Sequence, residues 1–151
     1  MTEVTAFSPH DHGRCVASGL ARADATCRAM GRDLTPVRRR TLEILLEAHE
    51  AMGAYDVLAR LAEDGLGKQP PVAYRALAFL TEAGLAHRIE RLNAYIACTH
   101  PGQRHDPAFL ICRNCGRVAE AEAGRPVAEP GGFAVERTVI EAVGLCPECQ
   151  P

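Results

Sequence analysis

Two Cys-x-x-Cys pairs, Cys112-Arg-Asn-Cys115 and Cys146-Pro-Glu-Cys149, constrain this chain more than any other feature. Each pair is the spacing of a tight knuckle, and Gly116 directly after the first lets the backbone fold back on itself. Two such pairs can close one tetrahedral zinc site, since zinc is borderline-soft, redox-inert and content with four thiolates. A site whose ligands all come from protein has no open position, so its expected role is structural. It ties residues 146–149 back to the middle of the chain. Disulfides, an iron–sulfur cluster and unrelated buried thiols are the competing readings.

The sequence has 151 residues, enough for one ordinary domain or two small ones. Two halves of that size cannot each build a generous core, so a metal staple in the second makes physical sense. Hydrophobic residues make up 47% of the chain, with no tryptophan and few aromatics, which predicts a core of Ala, Leu and Val. No apolar run reaches membrane-spanning length, so no membrane partner is expected. Residues 1–14 are polar, lack the apolar stretch of a signal peptide and read as a disordered tail. Seven cysteines without a secretion signal point to the reducing cytoplasm, where thiols bind metal rather than pair.

Net charge is −2, which alone argues against nucleic acid. The distribution argues otherwise. Residues 1–100 carry 12 basic and 12 acidic side chains, and residues 101–151 carry 5 and 7, so the deficit belongs to the second half. Five arginines against one aspartate lie between Arg28 and Arg40. Clusters of this kind set the local field and can attract phosphates on a weakly acidic protein; ordinary solvated helix faces are the plainer reading.

Taken in order, the pattern predicts a helix from about Val16 to Met30. Thr35 is a good N-cap and Pro36 suits the first helical position, so a second helix starts there and closes near Ala51, before Gly53. A short helix over 54–63 and a Gly-rich turn follow. Pro70 and Pro71 open a third helix of this group, stopped by Gly84, with Tyr74 and Arg75 projecting outward near its start. His87 to Cys98 alternates apolar and polar residues about Arg91-Leu92-Asn93, as a two-stranded hairpin does. Helix, helix, tight turn, helix, hairpin is the plan of a winged helix-turn-helix, whose second helix of the motif reads the DNA major groove. Tyr74 and Arg75 sit at the reading end. Arg38, Arg39, Lys68, Arg88 and Arg91 are candidates for flanking phosphates. A winged fold used for protein contacts is the alternative.

Polar residues with Pro101-Gly102 and Asp106-Pro107 as breakers place a hinge at 99–107. Strands are expected at Phe109–Cys112, at Val118–Ala121 and, with a bulge, along Phe133–Val143. Gly124 to Gly132 is too rich in Pro and Gly for a regular helix. The expected organisation is therefore α+β: tail 1–14, winged-helix DNA-binding domain 15–98, hinge 99–107 and a small α/β dimerisation domain 108–151 closed by a four-cysteine zinc site. Ligand-capable side chains gather where the halves meet: His87, Glu90, Cys98, His100, His105 and Glu120. A mixed nitrogen, sulfur and oxygen set holds metal more reversibly than four thiolates, as a switch requires. A zinc enzyme is disfavoured. No His-Glu-x-x-His occurs, and His87 and Glu90 have the wrong spacing for a deaminase. A Cys-x-x-Cys redox module is a further, weaker alternative.

The order of these motifs resembles the ferric uptake regulator family, most closely its zinc-uptake branch. The resemblance rests on Leu34-Thr-Pro-Val-Arg38, Ala54-Tyr-Asp56, Pro70-Pro-Val-Ala-Tyr-Arg-Ala-Leu77, His87-Arg-Ile-Glu90, Asn93-Ala-Tyr-Ile-Ala-Cys98, Phe109-Leu-Ile-Cys-Arg-Asn-Cys-Gly116 and Gly144-Leu-Cys-Pro-Glu-Cys149. It implies a homodimeric, metal-dependent repressor that binds double-stranded operator DNA and shuts off zinc-uptake genes when zinc suffices. It implies two zinc ions per subunit, one structural on Cys112, Cys115, Cys146 and Cys149, one regulatory on His87, Cys98, His105 and Glu120. It places Tyr55, Tyr74 and Arg75 against DNA, and it implies neither catalysis nor a small-molecule substrate. The His-His-Asp-His run of the iron and peroxide branches is missing before the first knuckle, although a repressor sensing iron or peroxide stays the alternative.

Overall fold

The computed structural model describes residues 11–48, 50–99, 101, 107–122, 130–136 and 138–151. The chain divides into two compact units, His10–Gln103 and Arg104–Pro151.

The first unit opens with helix α1, His12–Ala29. It starts earlier than the Val16 expected from its apolar pattern because Asp11 caps it, accepting a bond from the Arg14 backbone N–H. Helix α2, Pro36–Glu47, begins where Thr35 and Pro36 predict, with the Thr35 hydroxyl bonded to the Arg38 N–H. It ends earlier than Ala51. Met52 is drawn instead into an antiparallel bridge with Tyr95, through bonds of 2.9 and 2.8 Å. A residue spent on that pairing cannot stay helical. Helix α3, Ala54–Glu63, and helix α4, Pro70–Glu82, match expectation.

Thr41, Leu42, Ile44 and Leu45 of α2, Val57, Leu58 and Leu61 of α3, and Leu77, Phe79 and Leu80 of α4 build one core. Spacings of three and four align Thr41 with Ile44 and Leu45, Val57 and Leu58 with Leu61, and Leu77 with Leu80, while Phe79 lies off that last row, beneath Arg32 and Arg38. Strands β1, Ala86–Ile89, and β2, Ala94–Ala97, form the antiparallel wing. Asn93 turns it at φ 47°, a left-handed conformation that Asn tolerates better than most residues.

The second unit is a three-stranded sheet. Strand β3, Pro107–Cys112, lies between β4, Val118–Glu122, and β5, Ile140–Gly144. The β3–β4 pair is antiparallel and the β3–β5 pair parallel. The strand expected from Phe133 is thus confined to 140–144, because only that stretch finds a partner edge among the described residues. The segment 124–132 lies mostly outside the described residues; Pro130–Gly132 forms a 3-10 turn with Gly131 at φ 63°.

Candidate metal centre and nucleic-acid interface

Parallel pairing decides where the cysteines meet. Cys112 ends β3 opposite Gly144, which ends β5, so both strands deliver their knuckles to the same end of the sheet. The first knuckle closes with bonds from the Gly116 N–H to the Cys112 carbonyl (3.1 Å) and from the Cys112 N–H to the Arg117 carbonyl (2.9 Å). Gly116 stands at φ 79°, which a side chain would oppose. The second knuckle is a 3-10 turn, Pro147–Cys149, started by Cys146.

The four sulfurs of Cys112, Cys115, Cys146 and Cys149 lie within 4.8 Å of one another. The sulfurs of Cys115 and Cys146 stand 3.7 Å apart. Four thiolates bound tetrahedrally at ~2.3 Å have their sulfurs ~3.8 Å apart, so the cage fits a zinc ion. That spacing is also far from the ~2.05 Å of a disulfide, and none of the seven cysteines is disulfide-bonded. Backbone N–H groups of Cys115 and Cys146 pull the Cys112 thiol down to about 6. Cys115 goes the other way, to about 11: the Arg117 N–H lowers it most, but burial and the neighbouring sulfurs together outweigh that donor. A cation held among the sulfurs would favour their thiolate forms.

His87, on β1, faces Ile96 across the wing, and the Cys98 N–H extends the ladder to the Leu85 carbonyl at 2.9 Å. Cys98 is thus the diagonal neighbour of His87 on one hairpin face. Its side chain is 6% exposed. Glu120 lies on β4, in register with Phe109. His105 and His100 lie outside the described residues. The sequence offers His87 and Cys98 as ligand types, and the hairpin register puts them on one face.

On the winged unit, Tyr74 and Arg75 leave the outer face of α4, and Tyr55 the first turn of α3. Tyr55 is 67% exposed and Tyr74 47%, and their rings meet edge-to-face with centroids 6.4 Å apart. Two large rings thus stand together at this exposed corner beside Arg75. Arg38, a phosphate candidate by charge, also packs within the unit. Its guanidinium lies 3.8 Å from the Phe79 ring centroid, where Arg32 also approaches to 4.6 Å, and its Nη1 donates to the Asp33 carbonyl at 2.8 Å. Arg39 is engaged by Asp24 in a forked pair at 2.7 and 2.8 Å.

A sequence profile of the ferric uptake regulator family matches residues 29–126. The chain belongs to the ferric uptake regulator family. Within it, the chain is 39% identical over 137 residues to the zinc uptake regulation protein of Escherichia coli strain K12, covering 86% of this chain and 80% of that protein. It is similar to a solved zinc uptake regulator complexed with zinc and DNA, at 36% identity and TM-score 0.80, over 89% of this chain and 94% of that one. It is also similar to holo XcZur, at 34% identity and TM-score 0.78, over 87% and 96% of the two chains.

Several contacts escaped the sequence. Asn114 donates its side-chain amide to the Cys149 sulfur at 3.3 Å, and Arg117 pairs with Glu148 at 2.7 Å. These partners are 35 and 31 residues apart, and no motif relates them.

Proposed function

We infer that this chain is a zinc-responsive transcriptional repressor that binds operator DNA as a zinc-loaded homodimer and represses zinc-uptake genes. One observation carries the reading. A single compact unit presents an exposed Tyr74-Arg75 reading edge and, on its wing, a histidine and a cysteine on one face. The wing that offers two of the four regulatory ligands thus belongs to the same compact unit as the reading edge. The zinc uptake regulators that the chain resembles support the same conclusion.

Cys112, Cys115, Cys146 and Cys149 hold a structural zinc ion, and His87, Cys98, His105 and Glu120 a regulatory one, two per subunit. Bound zinc supplies a cross-link of fixed ligand geometry. His87 and Cys98 contribute to it from the wing, His105 and Glu120 from the stretch beyond Gln103. With those ligands engaged, the two reading units of a dimer have one spacing. With them released, each unit samples many, and DNA affinity falls by about 1–3 kcal/mol, the usual size of an allosteric coupling. Arg75 reads guanine, Tyr74 and Tyr55 contact bases or backbone, and Lys68 meets phosphate; Arg38 belongs to the same set by charge. A repressor of this kind works in the cytoplasm, where the operator is, and acts as a regulator rather than an enzyme. The thiolate of Cys98 favours zinc over iron at the regulatory site.

The test is operator binding with free zinc buffered from the picomolar range upward, a suitable window for thiolate-containing sites. Zinc per subunit is counted in the same samples. Binding is expected to switch on as the count passes from one to two, and Cys98→Ala to lose the switch while keeping the first zinc. Binding indifferent to zinc but restored by iron would assign the alternative sensor.

A further inference from the structure

We propose that Asn114 is a positioning residue for the four-thiolate site, and that with the Arg117–Glu148 pair it clamps the second knuckle onto the first and keeps Cys149 from leaving the metal. The proposal rests on the zinc reading of that site. Besides the approach of the Cys115 and Cys146 sulfurs, the contacts that cross between the knuckles among the described residues divide into two kinds. The Cys146 N–H to Cys112 sulfur bond (3.4 Å) and the Arg113 N–H to Gly144 carbonyl bond (2.9 Å) are backbone-donated and follow from the sheet. The other two depend on side-chain identity: the Asn114 amide on the Cys149 sulfur, and Arg117 Nη1 on a Glu148 carboxylate oxygen.

The position of these two contacts matters more than their number. Cys112 and Cys146 are buried, whereas Cys115 and Cys149 are both half-buried; Cys115 has the Arg117 backbone N–H beside it, while Cys149 closes the second knuckle and relies on the Asn114 side chain. A zinc–thiolate site loses its ion one ligand at a time, and the least restrained sulfur leaves first. Asn114 donates to that sulfur. An N–H···S bond to a thiolate draws off part of its negative charge, so the sulfur is less ready to take a proton or attack an electrophile. Arg117 and Glu148 flank the same ligands, each within two residues of a cysteine, and oppose the same separation. Both residues are partly or largely exposed, so as a surface pair they matter little for folding; their effect is on the opening of this one site.

The experiment uses the full zinc-loaded chain. Zinc per subunit is counted first. Release is then followed after mixing with excess chromogenic chelator, and iodoacetamide labelling of the loaded protein is mapped by mass spectrometry. Asn114→Ala is expected to speed release about tenfold, at the low end for loss of an outer-shell partner, and to make Cys149 the first cysteine labelled. Arg117→Met is expected to speed release two- to threefold, from the weakness of exposed ion pairs, without raising Cys149 reactivity as far as Asn114→Ala does. An Asn114→Ala protein that releases zinc and labels Cys149 as the unsubstituted chain does overturns the clamp while leaving the site standing. An unsubstituted chain that holds no tight zinc overturns both.

Discussion

Arg38 offers the sharpest test of how the winged unit is built. Removing its side chain with Arg38→Ala deletes a guanidinium 3.8 Å from the Phe79 ring centroid and a 2.8 Å bond to the Asp33 carbonyl. Phe79 is buried, so the stack is partly desolvated and contributes about 1 kcal/mol. The bond to Asp33 lies at the surface and adds about 0.5–1 kcal/mol. Arg32, already 4.6 Å from the same ring, can recover part of the stack, so the expected net loss is about 1–2 kcal/mol. For a unit of fewer than 100 residues this lowers the melting temperature by roughly 5–15 °C. Urea unfolding of the zinc-loaded protein should show an earlier midpoint at unchanged slope. Arg38→Lys keeps the charge but not the flat face, and should lose most of the same stability. A phosphate contact behaves otherwise: its loss reduces the salt dependence of DNA binding by about 0.9 in log–log slope. If Arg38→Ala unfolds like the unsubstituted protein while that slope drops by about one, the packing role is refuted and the electrostatic one stands.

Two further outcomes are expected. Arg75→Ala should weaken operator binding by roughly 5- to 150-fold, the equivalent of about 1–3 kcal/mol for a bidentate base contact, with relaxed preference at one base pair; a uniform loss across sequences would make Arg75 a phosphate contact. Cys112→Ser should abolish the dimer and the sheet signals of the second unit while the helical content of His10–Gln103 persists. Sedimentation and circular dichroism would detect it, and a stable dimer in the variant would contradict the structural role of the four-cysteine site.

What could be read from sequence was local. Thr35 and Pro36 start α2 and Pro70 starts α4 because caps and fixed φ act within a few residues. The cysteine spacing announced its cage because a knuckle is itself a local turn. What was missed involves partners far apart in the chain. The end of α2 is decided by Tyr95, whose backbone takes Met52 out of the helix. The alternation at Phe133 and Val135 imitates a strand, yet a strand needs an edge to join, and β3 accepts only 140–144. Charge makes Arg38 a phosphate candidate but carries no information about the ring of Phe79 beneath it. His87 and Cys98 were legible as ligand types, whereas their common face follows from hairpin register.

The parallel placement of β5 beside β3 also bears on how this unit assembles. No tight turn can join parallel neighbours, and the knuckle residues Cys115 and Cys146 are 31 residues apart. Closing a loop of that length costs about 3 kcal/mol of chain entropy before any strand contact compensates it. The first knuckle is local and can load metal early. Once it has, the second knuckle is captured within the same chain, at an effective concentration near the millimolar range set by the loop. On the proposed zinc reading, zinc supply during synthesis would set the rate at which β5 finds its place, and chains made without the metal would leave the β3 edge open to other strands.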